Sequence, residues 1–577
     1  MCKGYQPISH LPSPVALIGA VIIKPKVESE SVVNYYELRT RFERSIEHLK
    51  QSVESSAQEL RGLPDSVRNS LFLELPDANL ACETLSLMNP RIDIGAVDGS
   101  YGTVQLEGLT ALSALACGVR CSLDLSKQRP DLRTHFNPLT LEYVEYVPQF
   151  RLGGQAEEIL QEVMRYLEYL YLSKHLGGPA IIFRDGSIST DFRVLVSSAL
   201  RSAATQRFQL FTAGLGCPIS AFDVYISLSE SFDTSIGGNR DEASGAGATA
   251  TKSPGRMSVP PGRALGRRSG EENSDILNSV LREMGITRTE STLASDMVAA
   301  KSRIESYRQV MRETILSGEL LHNCFLVKEA QGETISKIIE AVRYASLLEL
   351  LSVIRERTDR VLQIVSVSKD SGSSEFQAQI FESALSSSTS GSFLPDKVVL
   401  SFGSASVGGG KDGRRWRTIA FDPLIGTHQT GSSDLLRLAH GRTNFNRFLY
   451  QLDSSGRGYA DVFTCDYVTQ SNGSPLHRQS KGVVSFHDKS KLADIVSSLL
   501  VCVSIHAGGI PEGLGHVYPL LLADRLAKLK SRNTLRAIDG FRSVPLTRSD
   551  LREISRVTQS FRLKRSSYES TRRKRRR

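Results

Sequence analysis

The sequence predicts an α/β fold in which a mixed β-sheet is flanked by helices. Two short apolar runs, Ile92–Val97 and Pro179–Phe183, each lead into an aspartate that is followed by Gly-Ser. Such runs are typical of buried strands that end in turns. Between them, Gln155–Lys174 repeats apolar residues at the spacing of a helix with one buried face. Strands and a helix therefore alternate around two acidic turns.

The order of elements narrows this fold class. The segment 104–148 predicts two or three strands, so a first strand with Asp98 is followed by further strands, a helix with Glu168, and a strand that delivers Asp185. This is the element order of ribonuclease-H-like domains, in which carboxylates from these three elements converge on divalent ions. We therefore predict a ribonuclease-H-like mixed β-sheet core flanked by helices, with helical N-terminal and central insertions.

The rest of the chain is assigned around this core. We predict an N-terminal region, 1–90, with an amphipathic helix at Val33–Leu60; a central domain, 91–530, that contains a low-complexity insertion (229–274) and a helical insertion (275–360); and a C-terminal extension, 531–577, with a basic tail. Further strands are expected at Ala221–Leu228, Val361–Val367, Lys397–Phe402, Thr418–Phe421, Gly458–Thr464 and Gly482–Phe486, and a last helix carries Asp524.

Composition limits the class of protein. The chain has 577 residues, 40% of them hydrophobic, and no run of apolar residues long enough to cross a membrane. It also lacks a secretory signal pattern, so we expect a cytoplasmic protein with no membrane partner. Of the net charge of +9, the last 17 residues, with nine Lys/Arg and one Glu, carry 9 − 1 = +8. Such a polycation binds phosphate backbones without sequence preference, or only aids solubility.

Four acidic residues form the candidate metal site: Asp98, Glu168, Asp185 and Asp524. Hydrolysis of a phosphodiester needs an activated water and stabilisation of charge on the phosphate and the leaving oxygen. Two divalent ions about 3.5 to 4 Å apart supply these functions, and three or four carboxylates hold them. We expect Asp98 to bridge the ions, Asp185 and Asp524 to bind one of them, and Glu168 to bind the other or to orient the water.

Each assignment has a structural alternative. The two aspartates that precede Gly-Ser can simply cap turns, Glu168 can lie on a solvated helix face, and Asp524 can pair with Arg525 or Lys528 on its helix. Glu142 and Glu145 are reserve candidates. Lys369 is expected to neutralise the scissile phosphate, and His516 to donate a proton to it or to the leaving group, although either side chain can also be structural.

An ordered set of motifs resembles the NurA family. It comprises Val97-Asp98-Gly99-Ser100, Glu168 placed 17 residues before Asp185-Gly186-Ser187, Val367-Ser368-Lys369-Asp370, and Gly515-x-x-Tyr518-Pro519-Leu520-x-x-Ala523. The resemblance implies a Mn²⁺- or Mg²⁺-dependent DNA nuclease with single-strand endonuclease and 5′ to 3′ exonuclease activity. It also implies a homodimer that processes DNA ends in recombinational repair with a HerA-like hexameric ATPase.

By position, the resemblance assigns Asp98, Glu168 and Asp185 to the family's acidic metal site, and Lys369 to its lysine. The last motif departs from the family, which has tyrosine and histidine where this chain has His516 and Asp524. A carboxylate in place of an imidazole favours hard cations such as Mg²⁺ and Mn²⁺.

Two other functions remain open at this point. A catalytically inactive scaffold that binds DNA ends in such a complex would keep the fold while its last motif drifted. A ribonuclease-H-like enzyme acting on RNA or on hybrids is the other. The chain lacks a complete phosphate loop, since Gly408–Lys411 has neither the preceding glycine nor the following Ser/Thr, so an ATPase would have to be a separate protein.

Overall fold

In a computed structural model of the chain, the described residues are 35–62, 65–87, 89–106, 109–126, 130–148, 155–176, 178–203, 205–230, 290–326, 331–357, 362–369, 372–377, 394–403, 415–424, 443–452, 461–470, 487–505 and 516–540. The chain divides into two compact units, residues 1–56 and 57–577. The described part of the first unit is helical and confirms the predicted N-terminal helix. No helix among the described residues is long and apolar enough to span a membrane.

The described residues include thirteen helices and nine strands. The helices are α1 (Tyr35–Arg61), α2 (Asp65–Leu71), α3 (Ala78–Ser86), α4 (Ala156–His175), α5 (Ile188–Ala203), α6 (Gln206–Gly214), α7 (Ala221–Glu230), α8 (Glu290–Leu316), α9 (Leu320–Leu326), α10 (Gln331–Glu356), α11 (Asp396–Gly403), α12 (His487–Ser504) and α13 (Tyr518–Gly540). The strands are β1 (Phe72–Glu74), β2 (Arg91–Gln105), β3 (Leu109–Asp124), β4 (Asp131–Pro148), β5 (Ile181–Asp185), β6 (Leu362–Ser368), β7 (Arg415–Thr418), β8 (Thr443–Leu452) and β9 (Val462–Gln470).

The second unit is built on one mixed sheet of nine strands, in the order β1-β7-β8-β9-β6-β5-β2-β3-β4. The strands β2, β3 and β4 form an antiparallel meander, whereas β5 pairs in parallel with both β2 and β6. The parallel connection from β2 to β5 passes through α4, as parallel pairing requires a crossover. The predicted α/β class with a mixed sheet is therefore correct.

Alternation along the strands gives the sheet two apolar faces, each covered by helices. On one face, Val97 and Ile182 pack with α4, α5 and α10 in the largest core cluster. On the other, Ala96 and Phe183 pack with residues of α3, α12 and α13. Parallel strands buried on both faces explain why the runs around residues 92–97 and 179–183 are almost entirely apolar.

Two predicted strands are helices. Ala221–Leu228 lies in α7, where Ser220 and Asp223 exchange hydrogen bonds as a capping box at the helix start: the Ser220 N–H reaches Asp223 Oδ2 over 2.7 Å. Lys397–Phe402 lies in α11, which begins directly after Pro395. Periodicity alone does not distinguish a short strand from a buried helix. The distinguishing residues are Ser220 and Asp223 at the start of α7 and Pro395 before α11.

The other strand predictions have mixed outcomes. Val361–Val367 corresponds to β6, whereas β7 precedes the predicted Thr418–Phe421 and ends at Thr418. The strand predicted at Gly458–Thr464 begins at Val462. The prediction at Gly482–Phe486, the low-complexity insertion and the basic tail lie outside the described residues. The strand β8 is not among the predicted strands, although its Phe448-Leu449-Tyr450 is a run typical of strands.

Candidate metal and phosphodiester site

Asp98 lies in the middle of β2, not at its end. The prediction of a turn at Asp98 is wrong, because β2 continues to Gln105 in register with β3. The parallel pairing with β5, however, ends at Val97 opposite Arg184. Asp98 therefore lies just beyond the last paired residues of the two central strands, next to the end of β5, where Asp185 is the last strand residue.

Strand alternation divides the predicted acids between the two faces of the sheet. Asp98 and Asp185 share the parity of Ala96 and Phe183, which pack on the α12 and α13 side. Asp524 belongs to α13, whose Ala527 packs against Leu115 and Cys117 of β3 on that side. Three aspartates thus belong to one face of the sheet. Glu168 belongs to α4, which covers the opposite face.

Glu168 reaches the sheet because residue 99 is glycine. A Cβ at Gly99 would lie 2.7 Å from Glu168 Oε1 and 2.5 Å from Met164 Cγ, which is closer than real contacts allow. Its other oxygen, Oε2, accepts hydrogen bonds from Arg184 Nε at 3.0 Å and Nη2 at 2.8 Å. Burial raises the pKa of Glu168, and the Arg184 charge opposes that rise. Glu168 is therefore a buried, ion-paired side chain that occupies the space left free by the missing side chain of Gly99.

The carboxylates around Asp98 are close enough to repel one another. Burial, followed by the charges of Asp185, Glu168 and Asp524, raises the pKa of Asp98 well above its usual range. Burial also acts to raise the pKa of Asp524, but hydrogen bonds from Lys528 and the charge of Lys369 outweigh it and leave the pKa lowered, with a contribution from a hydrogen bond with Asp98. The site therefore favours the protonated form of Asp98 and the charged form of Asp524.

Lys369 supplies positive charge at this site. Its Nζ lies 3.3 Å from Asp185 Oδ2. Burial tends to lower the pKa of Lys369, but Asp185, Asp524 and Asp98 reverse the effect, so the pKa is raised and the ammonium stays charged. The structure thus places Lys369 within electrostatic range of the three aspartates.

His516 lies close to this cluster, and its electrostatic neighbours include Asp185, Lys369 and Asp524. Its ring is 2% exposed and stacks on Phe463 with centroids 5.4 Å apart. Neither ring nitrogen has a hydrogen-bond partner among the described residues. Burial lowers the pKa of His516 to about 4. A neutral imidazole predominates near pH 7, which disfavours the expected role as a protonated donor.

The reserve candidates have structural partners. Glu145 accepts hydrogen bonds from the backbone N–H groups of Leu321 and His322 at 2.9 and 2.7 Å, and so caps α9. Glu142 accepts a hydrogen bond from Thr534 of α13 at 2.6 Å. These contacts account for both glutamates without catalysis. Asp524 has the partner foreseen as its structural alternative, since Lys528 Nζ lies 2.8 Å from its Oδ1.

The donor set suits a hard divalent cation, although the side chains are not drawn tightly together. Among the described residues, no three acidic, histidine or cysteine side chains form a compact metal-binding group. The aspartates nevertheless interact with one another, with Lys369 and Lys528 as cationic neighbours, and carboxylate oxygens are the ligands that Mg²⁺ and Mn²⁺ prefer. The residues present therefore fit such an ion in composition and in charge.

Among solved structures, the NurA nuclease from Sulfolobus solfataricus is 12% identical, with 88% of this chain and 97% of that chain covered and a TM-score of 0.38. A structure of NurA bound to dAMP and manganese is also 12% identical, with 88% and 98% covered and a TM-score of 0.35. No curated protein matches the sequence.

The family profile is more decisive than these structural likenesses. The profile of the NurA domain matches residues 92–401, which is more than half of the chain. The matched segment contains Asp98, Glu168, Asp185 and Lys369 and ends before His516 and Asp524. On this match, the chain belongs to the NurA nuclease family.

Proposed function

We propose that the protein is a Mn²⁺- or Mg²⁺-dependent deoxyribonuclease that hydrolyses phosphodiester bonds at the site of Asp98, Asp185, Asp524 and Lys369. The observation that carries the proposal is the crowding of three carboxylates around the buried Asp98, next to a charged lysine. Perturbed acids in a shared site are typical of catalytic centres. Membership of the NurA family supports a nuclease as the reaction class.

A ribonuclease-H-like core is part of this proposal. The strand order β4-β3-β2-β5-β6, with three antiparallel strands followed by two parallel ones, supports it. So do the positions of the acids, on the first strand of the meander, on the crossover helix α4, and on the next parallel strand. We also propose that 91–530 is the nuclease domain, with 1–90 and 531–577 as extensions.

The cation would be held by Asp98, Asp185 and Asp524, with Glu168 behind Gly99 as the fourth carboxylate. When bound, it would supply an acidified water and charge stabilisation on the phosphate. Lys369 would bind a phosphate oxygen through its Nζ, which already lies beside Asp185. Binding of a cation would favour the charged form of Asp98, because the cation would offset the repulsion from the neighbouring carboxylates. His516 would order the site by packing on Phe463.

The finer activity is proposed from family membership. We propose single-strand endonuclease activity and 5′ to 3′ exonuclease activity on single- and double-stranded DNA, in DNA-end processing for recombinational repair. A homodimer that cooperates with a HerA-like ATPase in the cytoplasm completes the proposal. Unlabelled RNA or RNA–DNA hybrid, added to a reaction that contains labelled DNA, would test the ribonuclease alternative. An enzyme that prefers hybrids would bind the competitor, and its cleavage of the labelled DNA would fall.

Two contacts favour a second candidate, an inactive scaffold that binds DNA ends. Glu168 is ion-paired with Arg184, and Asp524 is ion-paired with Lys528. Both carboxylates are thus partly neutralised without a metal ion. A chain that had lost catalysis would retain such pairs and still carry a basic tail for the phosphate backbone.

Cleavage of end-labelled single- and double-stranded DNA in Mn²⁺ or Mg²⁺ distinguishes these candidates. Wild type, Asp98→Asn and Lys369→Met should be compared with Glu145→Gln, which alters a buried carboxylate outside the site. Cation-dependent cleavage that disappears in Asp98→Asn and persists in Glu145→Gln supports the nuclease. Absence of cleavage in wild type, alone and with a HerA-like ATPase, together with retained DNA binding, supports the scaffold.

A further inference from the structure

The turn that follows β5 is bonded to side chains on one face of the sheet. This face is opposite the aspartate cluster, which is formed by Asp98, Asp185 and Asp524. Asp185 itself belongs to the α13 face, whereas its neighbour Arg184 points to the α4 face and binds Glu168 and Asp191 there. Gly186 has a φ of +92°, a conformation that favours glycine, and its N–H donates to Val367 O at 3.1 Å. Asp185 is thus the one residue of this turn that faces the cluster.

The second anchor of the turn is a buried ion pair that the sequence analysis did not identify. Arg447 of β8 and Asp466 of β9 are directly opposite in register, and Arg447 Nε lies 2.6 Å from Asp466 Oδ1. Both side chains are about 1% exposed. They share strand parity with Phe445 and Val468, which pack in the cluster of α4 and α5. The pair is therefore on the face opposite Asp98.

This pair is bound to the hydroxyl groups of the turn. Asp466 Oδ2 accepts hydrogen bonds from Ser187 Oγ and Ser189 Oγ, each at 2.7 Å, and from Ser189 N at 3.2 Å. Arg447 Nη2 lies 2.7 Å from the same two hydroxyl oxygens and 3.3 Å from Thr190 Oγ1. Two strands distant in sequence thereby hold the residues that follow Asp185.

A further carboxylate, Glu375, also holds this ion pair in place. Arg447 Nη1 contacts Glu375, which in turn accepts a hydrogen bond from Arg193 of α5 at 2.7 Å. Burial acts to raise the pKa of Asp466, but Arg447 and the serine hydroxyls outweigh it, so the pKa is lowered and the carboxylate stays charged. A buried ion pair adds little net stability compared with apolar side chains of the same volume. Its fixed geometry is the better reason for its presence.

Building on the proposed function, we propose that Arg447 and Asp466 are positioning residues that, through Ser187 and Ser189, hold Asp185 in place for binding of a divalent cation. Groups that orient metal-binding side chains typically change metal affinity by about 10- to 100-fold when they are removed. The pair lies on the face of the sheet opposite Asp98. Its contribution is expected in cation affinity more than in the maximal rate.

The test removes the serine hydroxyl links between the turn and the ion pair and leaves Arg447 and Asp466 themselves unchanged. Ser187→Ala/Ser189→Ala deletes the two hydroxyls that link the turn to Asp466. The matched control is Ser346→Ala/Ser497→Ala, which deletes two buried helix hydroxyls bonded to Val342 O and Ala493 O. Binding of Mn²⁺ to the full chain is measured from the free-Mn²⁺ electron paramagnetic resonance signal. The Mn²⁺ dependence of cleavage and the unfolding temperature are measured in parallel.

The expected result is a Mn²⁺ dissociation constant raised about 10- to 100-fold in the turn variant but not in the control. Cleavage should approach the wild-type rate at saturating Mn²⁺, and the two variants should have similar unfolding temperatures. Equal Mn²⁺ affinity in the two variants would overturn the positioning role and leave the nuclease intact. A wild-type protein that neither binds Mn²⁺ nor cleaves DNA would overturn the proposed function, and the positioning role with it.

Discussion

Asp98 and Asp466 are both buried acids close to the turn after β5, and their electrostatic surroundings shift the two pKa values in opposite directions. Asp466 has a guanidinium at 2.6 Å and two hydroxyls at 2.7 Å, and its pKa is lowered. Asp98 is surrounded by three further carboxylates, and its pKa is raised. One face of the sheet therefore carries a satisfied ion pair, and the other carries carboxylates that repel one another. On the proposed function, Arg447 and Asp466 order the turn, and the aspartates on the other face hold the cation.

Neutralisation of each acid in turn tests this difference most directly. In Asp98→Asn we expect cleavage to fall by about a hundred- to a thousandfold, as for loss of a group that stabilises transition-state charge. The unfolding free energy should stay the same or rise, because the substitution removes repulsion. Cleavage assays and urea unfolding measure the two effects. Asp93→Asn, at an exposed position on the same strand, is the control, and substantial cleavage by Asp98→Asn would refute the assignment.

The equivalent change at Asp466 should act mainly on stability. Asp466→Asn leaves Arg447 buried without its main partner, so we expect the unfolding free energy to fall by about 3 to 5 kcal/mol. Asp461→Asn is the control, because Asp461 pairs with Lys397 at the surface and such pairs contribute about 1 kcal/mol or less. Urea unfolding measures both variants. Equal stability of Asp466→Asn and wild type would remove the contrast between the two faces.

Gly99 tests whether Glu168 has to reach the strand. In Gly99→Ala the new Cβ would displace Glu168 and Met164, and we expect cleavage to fall by up to about a hundredfold, as for a misplaced group near the reacting atoms. Gly102→Ala is a matched control on the same strand, since its Cβ would meet only the flexible end of Leu535. If the two variants cleave DNA equally well, Glu168 has no part in the site.

His516 should affect acid stability more than cleavage. Its pKa is about 4 in the folded protein and 6.5 in the usual reference, so the neutral form is favoured by folding. The stability that the neutral imidazole contributes is complete above pH 6.5 and is lost as pH falls towards 4. The expected loss in the free energy of unfolding is on the order of 3 kcal/mol. His516→Phe keeps the stack on Phe463 and should remove this loss. Urea unfolding from pH 7.5 to 4 measures the difference, and parallel curves for the two proteins would contradict the assignment.

The sequence by itself determined the α/β class, the order of elements around β2 to β5, and the residues of the aspartate cluster. Alternation and short apolar runs are local properties, and they survive folding because parallel strands need two apolar faces. The Asp-Gly-Ser sequence at residue 185 likewise predicted the end of β5. At Asp98 the same local sequence was misleading, because pairing with β3 continues the strand.

Only the tertiary structure decided how these residues are balanced. The separation of Glu168 from the three aspartates depends on which helix covers which face. The burial of His516 depends on its stack with Phe463 of β9. The pair Arg447–Asp466 unites strands that follow the turn by more than 250 residues, which no local pattern indicates. Charge balance in a buried site depends on distances between elements, and the sequence specifies those distances only through the completed fold.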